Sequence, residues 1–128
     1  MAKHGKIFWN ELNTKDADGS KAFYGEMFGW DLQDGPMPNG EGRYIVAKQG
    51  DDMIAGIFPL EGPEFEQVPS SWLTYVAVDD IEHAASELRR LGGMIMREPF
   101  EVPSIGKFAI ARDPQGAVFA LAQPSDEG

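Results

Sequence analysis

The chain has 128 residues and no cysteine, so disulfides, thiolate metal sites and cysteine nucleophiles are excluded. Its formal net charge of −10 disfavours nucleic acid as a partner, because phosphate binding needs clustered basic residues and the 11 present here are scattered. The apolar runs are far shorter than the roughly 20 residues that cross a bilayer, and no secretory signal is visible. We therefore expect a cytoplasmic protein without membrane or nucleic-acid partners.

The first half of the sequence predicts a strand, a helix and three further strands. The first strand covers KIFWNELNT, and Asp16 then caps the helix, since its carboxylate accepts the backbone N–H groups of a first turn. The helix ends at the glycine of FGW. Its predicted apolar stripe consists of Ser20, Phe23, Tyr24 and Met27. The three further strands are predicted at DLQD, RYIVAK and MIAGIF.

The second half predicts the same succession of elements. A strand at SWLTYVAV leads to Asp80 as a helix cap, and the helix ends at LGG. The helical stripe is Ile81, Ala84, Ala85, Leu88 and Leu91. Strands follow at MIMREPF, KFAIAR and AVFALAQ, and the sequence DPQG makes a tight turn between the last two.

These two halves are similar in sequence as well as in pattern. Gly106 lies 64 residues after Gly42, and Asp80 lies 64 residues after Asp16. One βαβββ unit cannot cover its own sheet, so two such modules must join to bury a core. Four basic residues recur in register and are interpreted as solvated strand residues or interface contacts: Arg43, Lys48, Lys107 and Arg112.

We therefore predict a single α+β domain built of two modules. The first module covers about residues 5–60 and the second about residues 71–124. The connection at 61–70 is rich in proline and glutamate and is interpreted as an exposed linker.

The duplicated βαβββ pattern, with D…FY…FGW after the first strand and RDPQGAVFAL near the end, resembles the vicinal oxygen chelate (VOC) superfamily. That superfamily includes glyoxalase I, extradiol dioxygenases, fosfomycin-resistance enzymes and bleomycin-binding proteins. The resemblance covers about residues 5–124. It implies a U-shaped, eight-stranded mixed sheet around a cleft, and a homodimer.

In the metal-using members of that superfamily, four ligands from the first and last strands of the two modules line the cleft. Carried over by the family spacing, these positions are Trp9, Gly56, Leu73 and Ala120. None of these side chains carries an imidazole, carboxylate or thiolate donor. We therefore predict no metal ligand and no cofactor.

Four other residues, of types common in functional sites, are assigned structural or surface positions. His83 is predicted on the solvated face of its helix, and His4 in a frayed N-terminus. Trp30 and Trp72 are interpreted as structural.

Side chains alternate along a strand, so the residues that share a face with the four family positions are predicted to line the ligand site. The predicted ligand-binding residues are Trp9, Glu11, Asn13, Phe58, Leu73, Tyr75 and Ala120. Apolar walls with a few polar groups are typical of small-molecule sites. A carboxylate at Glu11 in such a cleft suits a general acid or base. Alternatively, Glu11 pairs with a lysine or arginine, or only positions a ligand.

Three ligand-using functions are compatible with this pattern, and a fourth alternative is an interaction module without a ligand, whose own side chains would fill the cleft. The first is a metal-independent protein that sequesters or carries an apolar or aromatic metabolite or drug. The second is a metal-free lyase or isomerase in which Glu11 moves a proton. The third is a metal-dependent enzyme resembling glyoxalases or dioxygenases, which the residues at the four family positions disfavour.

Overall fold

The structure, a computed structural model, describes residues 3–36, 42–103 and 105–125. Its elements are β1 (Ile7–Thr14), α1 (Ala17–Phe28), β2 (Asp31–Pro36), β3 (Arg43–Gln49), β4 (Asp52–Pro59), β5 (Ser71–Ala77), α2 (Ile81–Arg90), β6 (Met94–Val102), β7 (Gly106–Arg112) and β8 (Val118–Pro124). A single 3-10 turn, Pro63–Phe65, lies between β4 and β5. All the predicted strands and helices are present, with strand ends that differ by a residue or two. Neither helix is long enough to cross a membrane within the part of the chain that is described.

The eight strands form a mixed sheet in the order β2-β3-β4-β1-β5-β8-β7-β6, which confirms the α+β class and the strand count predicted from the sequence. β1 is parallel to β4 and β5 is parallel to β8, whereas β2–β3, β3–β4, β6–β7 and β7–β8 are antiparallel. The chain divides into two compact units. The N-terminal unit is Asn10–Trp72, and the C-terminal unit combines the residues up to Trp9 with those from Leu73 onward.

The N-terminal unit has a core where α1 packs on one face of its strands. Ile45 and Ile57 are fully buried there, and the rest of this core is Leu12, Ala17, Tyr24 and Leu32. Asp16 caps α1 as predicted, because its Oδ1 accepts a hydrogen bond of 2.9 Å from the backbone N–H of Gly19. The helix ends at Gly29, whose φ of 72° is a left-handed conformation that glycine adopts without strain.

The apolar stripe predicted for α1 is wrong at two of its four positions. Phe23 and Met27 are 58% and 62% exposed, whereas Ala17 and Tyr24 face the core. Successive helical residues point about 100° apart, so a helix that buries Tyr24 turns Phe23 toward solvent. The Phe23 ring instead packs edge to face on Tyr24, which stacks on Trp30 and accepts a hydrogen bond of 3.1 Å from the indole N–H of Trp72.

An ion network ties α1 to β2 and β3 on the helix side of the N-terminal unit. Asp34 binds Arg43 at 2.7 Å and Lys21 at 2.6 Å, and Arg43 also binds Asp18 at 2.7 Å. The hydrogen bond from Arg43, with a second from Lys21, holds the pKa of Asp34 at about 2. Arg43, interpreted from the sequence as a solvated strand residue or an interface contact, thus takes part in an ion network within its own unit.

The C-terminal unit has its own core where α2 packs on one face of its strands. The buried members of this core are Val78, Ile81, Ala109, Ala111 and Leu121. Asp80 caps α2, because its Oδ1 accepts from the backbone N–H groups of Glu82 at 3.1 Å and His83 at 3.2 Å. Ala84, Ala85 and Leu88 pack inward as predicted, but Leu91 lies at the helix end and is exposed.

The two histidines lie apart from the predicted ligand residues. His83 is exposed on α2, in agreement with the prediction. His4 is not frayed, because its Nδ1 accepts a hydrogen bond of 3.1 Å from the backbone N–H of Asp79.

Candidate functional site

One face of the N-terminal unit, turned away from α1, carries three of the seven predicted ligand residues. Glu11 lies beside Gly56 and Asn13 beside Phe58 in the parallel pairing of β1 with β4. The alternate residues Leu12 and Ile57 pack against α1, so Glu11 and its neighbours face the other side. Glu11 is 9% exposed. The structure therefore brings Glu11, Gly56, Asn13 and Phe58 together on one surface.

Tyr44 lies over Gly56 on this surface, and the sequence analysis did not assign it to the site. Val46 is opposite Gly56 in the antiparallel pairing of β3 with β4, and Tyr44 is two residues away on the same face. A Cβ added to Gly56 would stand 1.6 Å from the Tyr44 hydroxyl oxygen and 2.3 Å from its Cζ. Only glycine therefore fits at position 56 while the phenol occupies this place.

Phe58 closes the other end of the same surface. Its ring packs edge to face against Phe65 of the 3-10 turn, with centroids 5.9 Å apart. The segment between β4 and β5, predicted to be an exposed linker, is exposed at most of its residues, and its Phe65 adds an aromatic wall to the N-terminal unit.

The corresponding face of the C-terminal unit lies away from α2. Tyr75 is beside Ala120 in the parallel pairing of β5 with β8, and Ile110 is opposite Ala120 in the antiparallel pairing of β7 with β8. Tyr75 and Ala120 are 64 residues after Glu11 and Gly56, so the equivalent strands of the two units pair in the same register. Leu73 and Ala120 are buried. Trp9, which belongs to this unit, is partly buried near the middle of β1.

A row of three aromatic rings follows this second face. Tyr75 packs edge to face on Phe108 with centroids 5.9 Å apart, and Phe108 is 6.0 Å from Phe100. The guanidinium carbon of Arg97 stands 3.8 Å from the centroid of the Phe100 ring. The small side chains of Ala120 and Ala122 flank the row, because they pair with Tyr75 and Phe108 in the sheet. We call Tyr75, Phe108, Phe100 and Arg97 the aromatic row.

Sequence reasoning included Tyr75 but missed the other members of the aromatic row. The alternation of KFAIAR on β7 placed Phe108 on the same face as Ile110, and the internal similarity aligned Phe108 with Tyr44. These signals identify Phe108 only once the face of Tyr44 is known, and Tyr44 was not among the predicted site residues. Simple alternation does not place Arg97 and Phe100 on one face, because the register of β6 against β7 shifts between them.

The residues at the four family metal positions do not fit a metal ion. Trp9, Leu73 and Ala120 have no ligating atom, and Gly56 has no side chain. At Gly56, the phenol of Tyr44 fills the space into which a ligating side chain would extend. Within residues 3–36, 42–103 and 105–125, no group of three or more histidine, aspartate or glutamate side chains forms a metal cluster.

Sequence comparison identifies the family and several relatives. The model of the Glyoxalase/Bleomycin resistance protein/Dioxygenase superfamily matches residues 6–121. The putative glyoxylase CFP32 of Mycobacterium bovis is 34% identical over 94% of this chain and 46% of that protein. The anthracycline biosynthesis protein DnrV of Streptomyces peucetius is 28% identical over 91% of this chain and 46% of its own length. The chain thus spans about half the length of these relatives.

Solved structures with the same fold are more distant in sequence. A hypothetical protein, BH1468 from Bacillus halodurans, matches with a TM-score of 0.69 and 15% identity over 98% of this chain and 99% of its own. Methylmalonyl-CoA epimerase from Mycobacterium tuberculosis matches with a TM-score of 0.63 and 15% identity over 99% and 94%. At this identity the two structures establish the fold alone.

Proposed function

Because the chain belongs to the Glyoxalase/Bleomycin resistance protein/Dioxygenase superfamily, we propose that it binds an apolar or aromatic small molecule without using a metal ion. The observation that carries this proposal is the aromatic row, where half-buried rings stand on a sheet face beside the small side chains of Ala120 and Ala122. A flat ligand gains dispersion and quadrupole interactions on such rings. The location assigned from the sequence, the cytoplasm, stays a prediction.

The metal-independent part of the proposal is supported by Tyr44. Its phenol lies where a ligating side chain at position 56 would have to extend, and the other family positions offer no donor. Ligand affinity in this protein must then come from apolar contact and from hydrogen bonds made by its own polar groups.

The proposal is tested with the neutral fluorescent probe N-phenyl-1-naphthylamine, whose emission rises in apolar surroundings. Removing a stacking ring by Phe108→Ala should weaken binding about tenfold. Leu91→Ala is the control, because Leu91 is an exposed apolar side chain at the end of α2 and lies outside the aromatic row. The proposal fails if the probe does not bind, or if Leu91→Ala reduces binding while Phe108→Ala leaves it unchanged.

A metal-free lyase or isomerase is the second candidate function, and the position of Glu11 favours it. The carboxylate of Glu11 is nearly buried and its backbone pairs with Gly56, over which the Tyr44 phenol lies. A carboxylate and a phenol on one surface are a proton acceptor and a hydrogen-bond donor for an oxyanion.

This second function is tested by incubating a panel of 2-oxo acids and acyl thioesters in deuterated water. If Glu11 moves a proton, the wild-type protein should exchange deuterium next to the carbonyl of at least one compound, and Glu11→Gln should abolish the exchange. Glu26→Gln, an exposed position on α1, serves as the control. Exchange that survives Glu11→Gln, or no exchange with the wild type, would remove this function.

We also propose that two copies of the chain associate through the exposed apolar side chains of α1. Phe23, Met27 and Phe28 are more than half exposed, and Trp72 is 42% exposed beside them. Apolar patches of this kind mark protein–protein contacts. The curated relatives are about twice as long as this chain. A second copy of the chain is therefore a partner of the right size to cover this apolar patch.

Light scattering tests this association. The wild type should be a dimer, and Met27→Ser with Phe28→Ser should make it a monomer. Met53→Ser is the control, since Met53 is equally exposed but lies in β4. A monomeric wild type would contradict the proposal.

A further inference from the structure

An irregularity in β6 brings Arg97 and Phe100 to the same face. The two residues are three positions apart, and in a regular strand they would point to opposite faces. Arg97 is opposite Ile110 and Phe100 is opposite Phe108, and those partners are only two positions apart on β7. The register shifts between Ile95 and Arg97 and again between Arg97 and Phe100. One extra residue in β6 is therefore absorbed between Arg97 and Phe100.

The sequence between the two residues explains where this irregularity occurs. Pro99 has no backbone N–H and cannot donate to the sheet, so it is tolerated at bulges and on edge strands. β6 is the edge strand next to β7. Bulges commonly redirect a side chain beside a binding site. Here the bulge turns the Arg97 side chain onto the ring of Phe100.

Arg97 differs from three of the other four arginines, although Arg112 shares its lack of an ion pair within the described residues. Arg43, Arg89 and Arg90 each bind a carboxylate. Within the described part of the chain, no ion pair involves Arg97, although the protein carries a net charge of −10. A guanidinium stacked on a ring keeps the N–H donors at the rim of its plane available to the oxygen atoms of an anionic group. The side chain is thus a cation held in place by an aromatic ring and not by an acidic partner.

We propose that the aromatic row selects an anionic aromatic ligand, one in which a carboxylate, sulfonate or phosphate is attached to a flat ring. The ring would lie on Phe108 and Phe100, and the anionic group would accept hydrogen bonds from Arg97. This inference rests on the proposed function and names the ligand class of the same site. The alternative is that Arg97 only shields the Phe100 ring from water and contributes nothing to selectivity.

Two probes that share one skeleton separate these readings. The anionic probe is 8-anilinonaphthalene-1-sulfonate, and the neutral probe is N-phenyl-1-naphthylamine, which lacks only the sulfonate. Each is titrated into the wild type, Arg97→Met and Lys107→Met. Lys107→Met is the matched control, because it removes one positive charge from the neighbouring strand β7. Lys107 lies opposite Gln123, whose Oε1 accepts a hydrogen bond from the Ile81 backbone N–H, so Lys107 is on the α2 side of the sheet.

We expect Arg97→Met to weaken binding of the anionic probe at least about fivefold, because a charge-assisted hydrogen bond is lost. The neutral probe should change by less than roughly twofold, and Lys107→Met should leave both probes within that range. Raising the salt concentration should reduce the advantage of the wild type for the anionic probe.

The outcomes distinguish this inference from the proposed function. If the neutral probe binds and depends on Phe108 but Arg97→Met and Lys107→Met have equal affinity for the anionic probe, the ligand class is wrong and the proposed function stands. If neither probe binds to the wild type, both proposals are contradicted.

Discussion

The phenol of Tyr44 lies over the backbone of Gly56, so that a Cβ at position 56 would stand 1.6 Å from its hydroxyl oxygen. Real side chains do not approach so closely, and the two residues therefore depend on each other. Position 56 is one of the four at which the family resemblance implies a metal ligand. In this chain the Tyr44 ring from the neighbouring strand β3 occupies that place.

Gly56→Ala should destabilise the protein by about 1–3 kcal/mol, because the added methyl group collides with the Tyr44 ring and overpacks the site. Urea unfolding measures this change. Gly35→Ala in β2 is the control, since a Cβ there would meet nothing within 4 Å. If Gly56→Ala and Gly35→Ala unfold at the same denaturant concentration, the described position of Tyr44 is wrong.

A double mutant separates this collision from a general effect of alanine in β4. Tyr44→Ala removes the ring, so Gly56→Ala should lower the free energy of unfolding much less in that background than in the wild type. Additive losses would show that the two side-chain positions do not interact.

Stability should fall on acidification partly because of Asp34. Hydrogen bonds from Arg43 and Lys21 lower the pKa of Asp34 from 3.8 to about 2, so the folded state favours the ionised carboxylate. The stabilisation is present above about pH 4 and is lost as the pH falls toward 2. Since the side chain is partly exposed, we expect its contribution to stay under about 1 kcal/mol.

The measurement is the difference in unfolding free energy between the wild type and Asp34→Asn. That difference should shrink between about pH 4 and pH 2. Asp51→Asn, an exposed substitution in the turn after β3, is the control for the loss of one surface carboxylate. A difference for Asp34→Asn that does not vary with pH would contradict the ion network.

Asp80→Ala should lower the free energy of unfolding by about 1 kcal/mol. The backbone N–H groups of Glu82 and His83 would lose the carboxylate that accepts their hydrogen bonds. Thermal unfolding followed by circular dichroism is the readout. Asp79→Ala, one residue earlier and highly exposed, should stay within about 0.5 kcal/mol of the wild type. Equal effects of the two substitutions would mean that Asp80 does not cap α2.

Much of the fold could be predicted from the sequence, because each half carries strong local signals. The capping aspartates, the glycines after the helices and the DPQG turn mark where elements begin and end. Strand alternation also predicted that Glu11 shares a face with Asn13 and that Tyr75 shares a face with Ala120. The strand registers of the two units agree with both predictions. The cleft expected between the two modules stays a prediction.

Other features could not be predicted because they depend on contacts between distant residues. The burial of Tyr24 in place of Phe23 depends on how α1 packs on Ile45 and Ile57. The position of Arg97 depends on a bulge that inserts one residue against β7, and period-two counting assigns such a residue to the wrong face.

The central claim, ligand binding that needs no metal, is tested most directly by one comparison. The affinity for N-phenyl-1-naphthylamine is measured on protein as purified, after exhaustive chelation, and after Zn²⁺, Mn²⁺ or Ni²⁺ is added back. We predict the same affinity in all three states. A loss of binding on chelation that one equivalent of a divalent metal restores would contradict the account.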